Sequence, residues 1–110
     1  MIAENSYMVN SFHAVDGDTH EVITADEEGF ISLEAGQKVI FESPYVPGEY
    51  VHCNTLIIGA GEEDVKVYLD DNTMYPLYVP AGEEKGVGYL AVHSFTAVDD
   101  CSLYYDGLVA

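Results

Sequence analysis

Hydrophobic and polar residues alternate along most of this chain, with a period of two. The clearest case is VKVYLDD, where Val65, Val67 and Leu69 share one face and Lys66, Tyr68 and Asp70 take the other. That period marks a half-buried antiparallel strand. Further strand-like runs cover Ser6–Val15, His20–Ala25, Phe30–Gly36, Lys38–Ser43 and Val51–Gly61. In MYPLYVPAGEE, Leu77 and Val79 share a face, while Pro76 and Pro80 remove ladder donors, which suits an edge strand or a strand end. GVGYLAVHSFTAV, Gly86–Val98, is apolar on both faces and predicts a central strand or one covered by a partner. CSLYYDGLV closes the chain, and its adjacent Tyr104 and Tyr105 must point to opposite faces. Asp, Gly, Asn and Pro fill the gaps, and no window of helix length shows helical period. A short helical turn is expected near Asp26–Gly29. The pattern predicts an all-β, single-domain antiparallel β-sandwich or jelly-roll-like barrel over residues 1–110, with about eight or nine short strands.

Two short echoes run through the chain. SFHAVDGD begins at Ser11 and SFTAVDDC at Ser94, while EAGQK begins at Glu34 and PAGEEK at Pro80. Their order differs between the halves, which argues against duplication. Recurrent strand-to-turn chemistry is the expected cause.

Charge changes the picture more than composition does. The 110 residues include 20 Asp plus Glu but only three cationic side chains, Lys38, Lys66 and Lys85, for a formal net charge of −17. Nucleic-acid binding needs Lys and Arg to neutralise phosphates, so it is excluded as a partner class. An anionic membrane surface is excluded on the same ground. Hydrophobic residues make up 48% of the chain and the acids are scattered, so the composition is that of a folded domain. A surface of this charge suits a basic partner, a divalent cation or saline surroundings. The start, MIAENSYMVNSFH, lacks a basic region and an unbroken apolar stretch, and no run reaches membrane-span length. Synthesis and folding in a cytosol are expected.

Candidate chemistry is sparse. His13, His20, His52 and His93 form no His-x-His motif of the cupin kind and are expected to be satisfied or surface residues. Convergence of His13, His20 and His93 stays open. DGDTHE offers Asp16, Asp18 and Glu21 as calcium-type oxygen ligands but lacks the offsets of an EF-hand loop. Asp-Gly is also a common hairpin turn, and the turn is the preferred reading. Gly59 and Gly61 lack the third spaced glycine and following helix of a phosphate loop. Cys53 and Cys101 fit no zinc spacing and are expected to be two buried free thiols. Asp70 and Asp71 are adjacent on a strand and so are poorly placed as a glycosidase pair. The nine tyrosines are the remaining signal, because tyrosine buries area while keeping a polar end. The reading assigns no catalytic, cofactor-binding or metal-binding residue, no cofactor and no enzymatic activity.

The stretch TLIIGAGEEDVKVYLDDNTMYPLYVPAGEEKGVGYLAVHSFTAV, Thr55–Val98, resembles small virion proteins of tailed bacteriophages, of the capsid-decoration, head-fibre and spike-base kinds. The resemblance lies in a Gly-rich turn, a VKVYL-type strand, YVPAGE, and a strand ending in the Thr96–Ala97 step. It implies a structural role in a virion, with a major capsid or tail protein as partner and assembly into a small homo-oligomer such as a trimer. Gly86–Val98 is then the first candidate for a subunit contact. Three alternatives stay open: a carbohydrate-binding β-sandwich module with tyrosine platforms, an acidic mimic of DNA that inhibits a nucleic-acid-binding protein, and a cupin-like enzyme.

Overall fold

The computed structural model describes residues 13–43, 46, 48–87 and 91–109. Among these, nine strands form two antiparallel sheets and no helix occurs. The five-stranded sheet contains β1 (His13–Asp16), β3 (Lys38–Glu42), β5 (Val65–Leu69), β6 (Leu77–Val79) and β8 (Ser94–Ala97), in the order β1-β3-β8-β5-β6. The four-stranded sheet contains β2 (Ile31–Leu33), β4 (Cys53–Ala60), β7 (Glu84–Val87) and β9 (Cys101–Val109), in the order β2-β9-β4-β7. The expected all-β sandwich is therefore present.

Strand alternation builds the core. Val65, Val67, Val39, Phe41, Phe95 and Ala97 point inward from the five-stranded sheet, and Ile31, Leu56, Ile58 and Leu103 point inward from the other. Tyr105 packs against this core with its ring centroid 6.2 Å from that of Phe41. Burial raises the pKa of the Tyr105 hydroxyl. Tyr104 takes the opposite face, where its ring lies across Gly59, so the two adjacent tyrosines separate as expected. β6 is an edge strand, as Pro76 and Pro80 foretold.

Two expectations need correction. His20–Ala25 is not a strand: it contributes only a single bridge, Val22 to Val15. Val22 is exposed, His20 takes a left-handed φ of 64° and Ile23 alone in this segment packs against the core, so the segment buries too little to hold an extended ladder. Gly86–Val98 is not one central strand. Its start ends β7 on the edge of the four-stranded sheet, and its end is β8 at the centre of the five-stranded sheet. Its two described ends therefore belong to different layers, and residues 88–90 between them lie outside the described residues. Val92, Phe95 and Ala97 fill the protein's own core and are not free for a subunit contact. The expected strand over Ser6–Val15 is described only from His13, and its earlier part lies outside the described residues.

The turns explain the echoes and part of the charge. In EAGQK, the Gln37 N–H donates to the Glu34 carbonyl at 3.0 Å, and Gly36 has φ 84°. In PAGEEK, the Glu83 N–H donates to the Pro80 carbonyl at 3.0 Å, and Gly82 has φ 78°. Both are type II turns, which need a positive φ at the third position and so favour glycine there. Aspartates fasten the other turns. Asp26 Oδ1 accepts the Glu28 and Phe30 amides at 2.9 and 3.0 Å, closing the turn expected near Asp26–Gly29. Asp100 Oδ1 accepts the Ala35 amide at 2.8 Å, tying two distant turns together.

Asp64 has the most consequential of these roles. It accepts the Ala81 amide at 2.8 Å and the Tyr78 hydroxyl at 2.9 Å, so it braces the β5–β6 hairpin. The Ala81 amide, then the Tyr78 hydroxyl, hold its pKa below the ordinary 3.8. A depressed carboxyl pKa contributes stability that is full above the unfolded value and lost as pH falls through the folded value. The melting temperature is therefore expected to fall as pH drops below about 4, with a shallower fall in Asp64→Asn. Melting curves taken from neutral to acid pH check this, and equal steepness in the two proteins would refute it.

Candidate functional site

The concavity with the most varied chemistry lies on the outer face of the five-stranded sheet. It is a groove of about 330 Å³. Its construction follows from the ladder of β3. β3 pairs with β8 from Lys38 to Ile40, opposite Thr96 to Ser94. Beyond that point the neighbour of β3 changes: Glu42 bridges Tyr50, and the Val51 N–H donates to the Phe41 carbonyl at 3.0 Å. The gap where one neighbour gives way to the next becomes the groove. Ile40, Val51 and Ser94 line it together with Lys38, Tyr50 and His93. Asp70 and Asp71, just past β5, complete the wall.

Each polar group here is held in a specific way. Asp70 Oδ1 accepts the His93 and Ser94 amides at 2.8 and 3.1 Å, which docks the entry to β8 onto the end of β5. Lys38 Nζ donates to Asp71 Oδ1 at 3.3 Å in an exposed ion pair. The Tyr50 hydroxyl lies 2.7 Å from His20 Nδ1 and the ring is 50% exposed. The Cys53–Val92 bridge brings His52 and His93 side by side, with ring centroids 5.0 Å apart. Ser94 is only 5% exposed.

The sequence candidates separate accordingly. Asp16 Oδ1 accepts the Asp18 and Thr19 amides at 2.8 and 2.9 Å, and its Oδ2 accepts Gln37 Nε2 at 2.8 Å. Those three bonds occupy the carboxylate as a turn lock, and the backbone amides hold its pKa down. Asp18 and Glu21 are exposed beside it. No group of three or more His, Cys, Asp or Glu is placed to hold a metal among the described residues. Asp70 and Asp71 are not on a strand as expected: both lie in the turn past β5, Asp70 with φ 53°, and both line the groove, though with different partners. Cys53 and Cys101 are free thiols. They sit at opposite ends of the β4–β9 ladder, on the order of 25 Å apart. Burial pushes the Cys53 thiol up to about 12, and burial also raises Cys101. Neither is an activated nucleophile.

Two other surfaces stand out. On the four-stranded side, two adjoining basins of about 410 and 630 Å³ share Glu63 and Ser102. Asp26, Glu28 and Glu62 line the first with Phe30, and Glu34 and Asp100 line the second. Beside them, Tyr104 meets Phe30 edge to face at 5.5 Å and donates to Glu84, whose carboxylate raises the tyrosine pKa. The second surface is the loop between β5 and β6, where Met74 and Tyr75 are each 75% exposed. Comparison with known proteins returns no match: no family model, no curated protein sequence and no solved structure is similar to the chain.

Proposed function

We propose that the protein is a non-enzymatic structural component of a virion, decorating or stabilising a phage capsid or tail through protein contacts. The observation that carries the reading is the Met74–Tyr75 tip. Among the described residues these two neighbours are the most exposed large hydrophobics, on an acidic body. Exposed apolar residues grouped on a rigid hairpin mark a contact surface. The hairpin beneath is braced by Asp64, and Lys66 Nζ sits 6.0 Å from the centre of the Tyr78 ring. Asp64 closes the open end of the hairpin, while the tip is held by the Asn72 N–H donating to the Leu69 carbonyl and the Met74 N–H donating to Asn72 Oδ1, each at 3.1 Å, and such pre-ordering lowers the cost of docking. The same hairpin carries VKVYL and YVPAGE, two of the four features on which the resemblance to phage accessory proteins rests. The net charge of −17 favours a basic partner surface and keeps the protein off packaged DNA.

Particles from a culture that expresses the protein, banded in a density gradient, provide the test. The protein should co-band with capsid protein in fixed proportion, and Met74→Ser/Tyr75→Ser should leave it in the soluble fraction with its melting temperature unchanged. Protein that stays soluble while particles band without it would end the virion reading. A second reading, an acidic mimic of DNA, draws on the two adjoining acidic basins. Its partner would be a basic nucleic-acid-binding protein, and its binding would weaken steeply with salt.

A further inference from the structure

We propose that the groove between β3, the end of β5 and the Tyr50 segment binds a neutral sugar ring. Ser94 carries the argument. It is in register with Ile40, between the inward-facing Val39 and Phe41, so its side chain points away from the core. It lines the groove at 5% exposure. Its amide is bonded to Asp70, but its hydroxyl has no hydrogen-bond partner among the described residues. A buried hydroxyl is nearly always paired, and leaving one unmatched is unfavourable. A ligand hydroxyl reaching the groove floor would satisfy it, because each hydroxyl can both donate and accept.

The surrounding groups fit the rest of a pyranose. Tyr50 offers an exposed aromatic face whose hydroxyl is tethered to His20, so the ring is already oriented. An aromatic face matches the C–H face of a sugar. Ile40 and Val51 supply apolar lining beside it. Lys38 and Asp71 set a donor and an acceptor side by side, the arrangement that adjacent hydroxyls of a sugar can bridge. A volume of about 330 Å³ is at the small end for ligand sites and suits one ring, with any further residues of a glycan in solvent. Tyr68 and Tyr78 extend the same outer face beyond the groove.

Charge selects a neutral sugar. Lys38 is paired with Asp71, and Asp70 Oδ1 already accepts two amides, so the floor holds no free cation for an acidic or phosphorylated sugar. The net charge of −17 repels such sugars further. An organic cation is the less suitable occupant, because it would leave the proton of the Ser94 hydroxyl without an acceptor. The inference does not depend on the virion reading, since a free domain would carry the same groove.

The test titrates the isotope-labelled full chain with the methyl glycosides of glucose, galactose, mannose and N-acetylglucosamine, following backbone amide shifts. At least one glycoside should give saturable, millimolar shifts confined to the amides of Lys38, Tyr50, Val51, His93 and Ser94. Ser94→Ala should weaken that binding about fivefold. It should not lower the melting temperature, since no bond within the protein is lost. Tyr50→Ala, at an exposed position that does not threaten folding, should abolish binding. Shifts absent for every glycoside, or full affinity retained by Tyr50→Ala, would overturn the proposal. So would n-butylammonium moving the same amides at lower concentration than any sugar, which would identify a cation site instead.

Discussion

Phe95→Ala is expected to destabilise the fold by about 3–5 kcal/mol. Phe95 is fully buried on β8, the middle strand of the five-stranded sheet. It is in register with Val39 on one side and Leu69 on the other. Its ring centroid lies 6.0 Å from that of Phe41, which in turn lies 6.2 Å from Tyr105 of the opposite sheet. The rings of Phe95 and Phe41 thus lie side by side on one sheet, and Tyr105 of the other sheet meets Phe41 across the core. Truncating Phe95 leaves a cavity that strands hydrogen-bonded on both sides cannot collapse to fill. A domain of this size has a net stability of roughly 5–15 kcal/mol, so the loss is a large fraction of the whole. Urea denaturation should show a lower midpoint at unchanged slope. Phe41→Ala should behave alike, and the double variant should cost less than the sum, because each single change already opens the shared cluster. A loss below about 1 kcal/mol would mean that the aromatic cluster does not organise the core.

How much of this could be read in the sequence depends on how local the cause is. VKVYL announced β5 because one strand's alternation is complete within five residues. The opposed Tyr104 and Tyr105, and the edge position of β6, follow from single-residue geometry and were equally legible. Gly86–Val98 misled because apolar content does not say which sheet a residue joins; β7 and β8 lie in different layers. His20–Ala25 misled because β-type residues form a strand only where a face is buried, and in this segment Ile23 alone is half-buried. The negative charge looked like a surface property. A share of it is turn chemistry: Asp16, Asp26, Asp64, Asp70 and Asp100 each accept at least one backbone amide. The groove was invisible. Lys38 meets Asp71 across 33 residues of sequence and Tyr50 meets His20 across 30, so only the pairing of β3 with its two successive neighbours brings them together. The histidine pair shows the same limit: convergence of His93 with His13 and His20 was the open question, and its ring partner is His52.

Gly107→Ala is expected to cost about 3 kcal/mol or more, for a reason that composition alone would not reveal. Gly107 lies on β9 opposite Leu56, next to the register shift between Cys53 and Thr55. An added Cβ would stand 2.6 Å from the Thr55 carbonyl oxygen and 3.2 Å from Cys53 Sγ. The first of these is backbone inside the β4–β9 ladder, so it cannot move without opening hydrogen bonds between the two longest strands. Gly59, in the same ladder, makes the natural control. A Cβ there would fall 1.9 Å from Tyr104 Cζ, a closer approach on paper, but the obstacle is the end of a side chain on the outer face. That ring can swing away at the cost of its contacts with Phe30 and Glu84. Gly59→Ala should therefore be the milder change despite the shorter distance. Thermal unfolding ranks the two variants, and hydrogen exchange should show β4–β9 amides losing protection in Gly107→Ala but not in Gly59→Ala. The opposite ranking would mean that the bulge at Cys53–Thr55 can absorb a side chain, and that the ladder is softer there than a buried backbone contact implies.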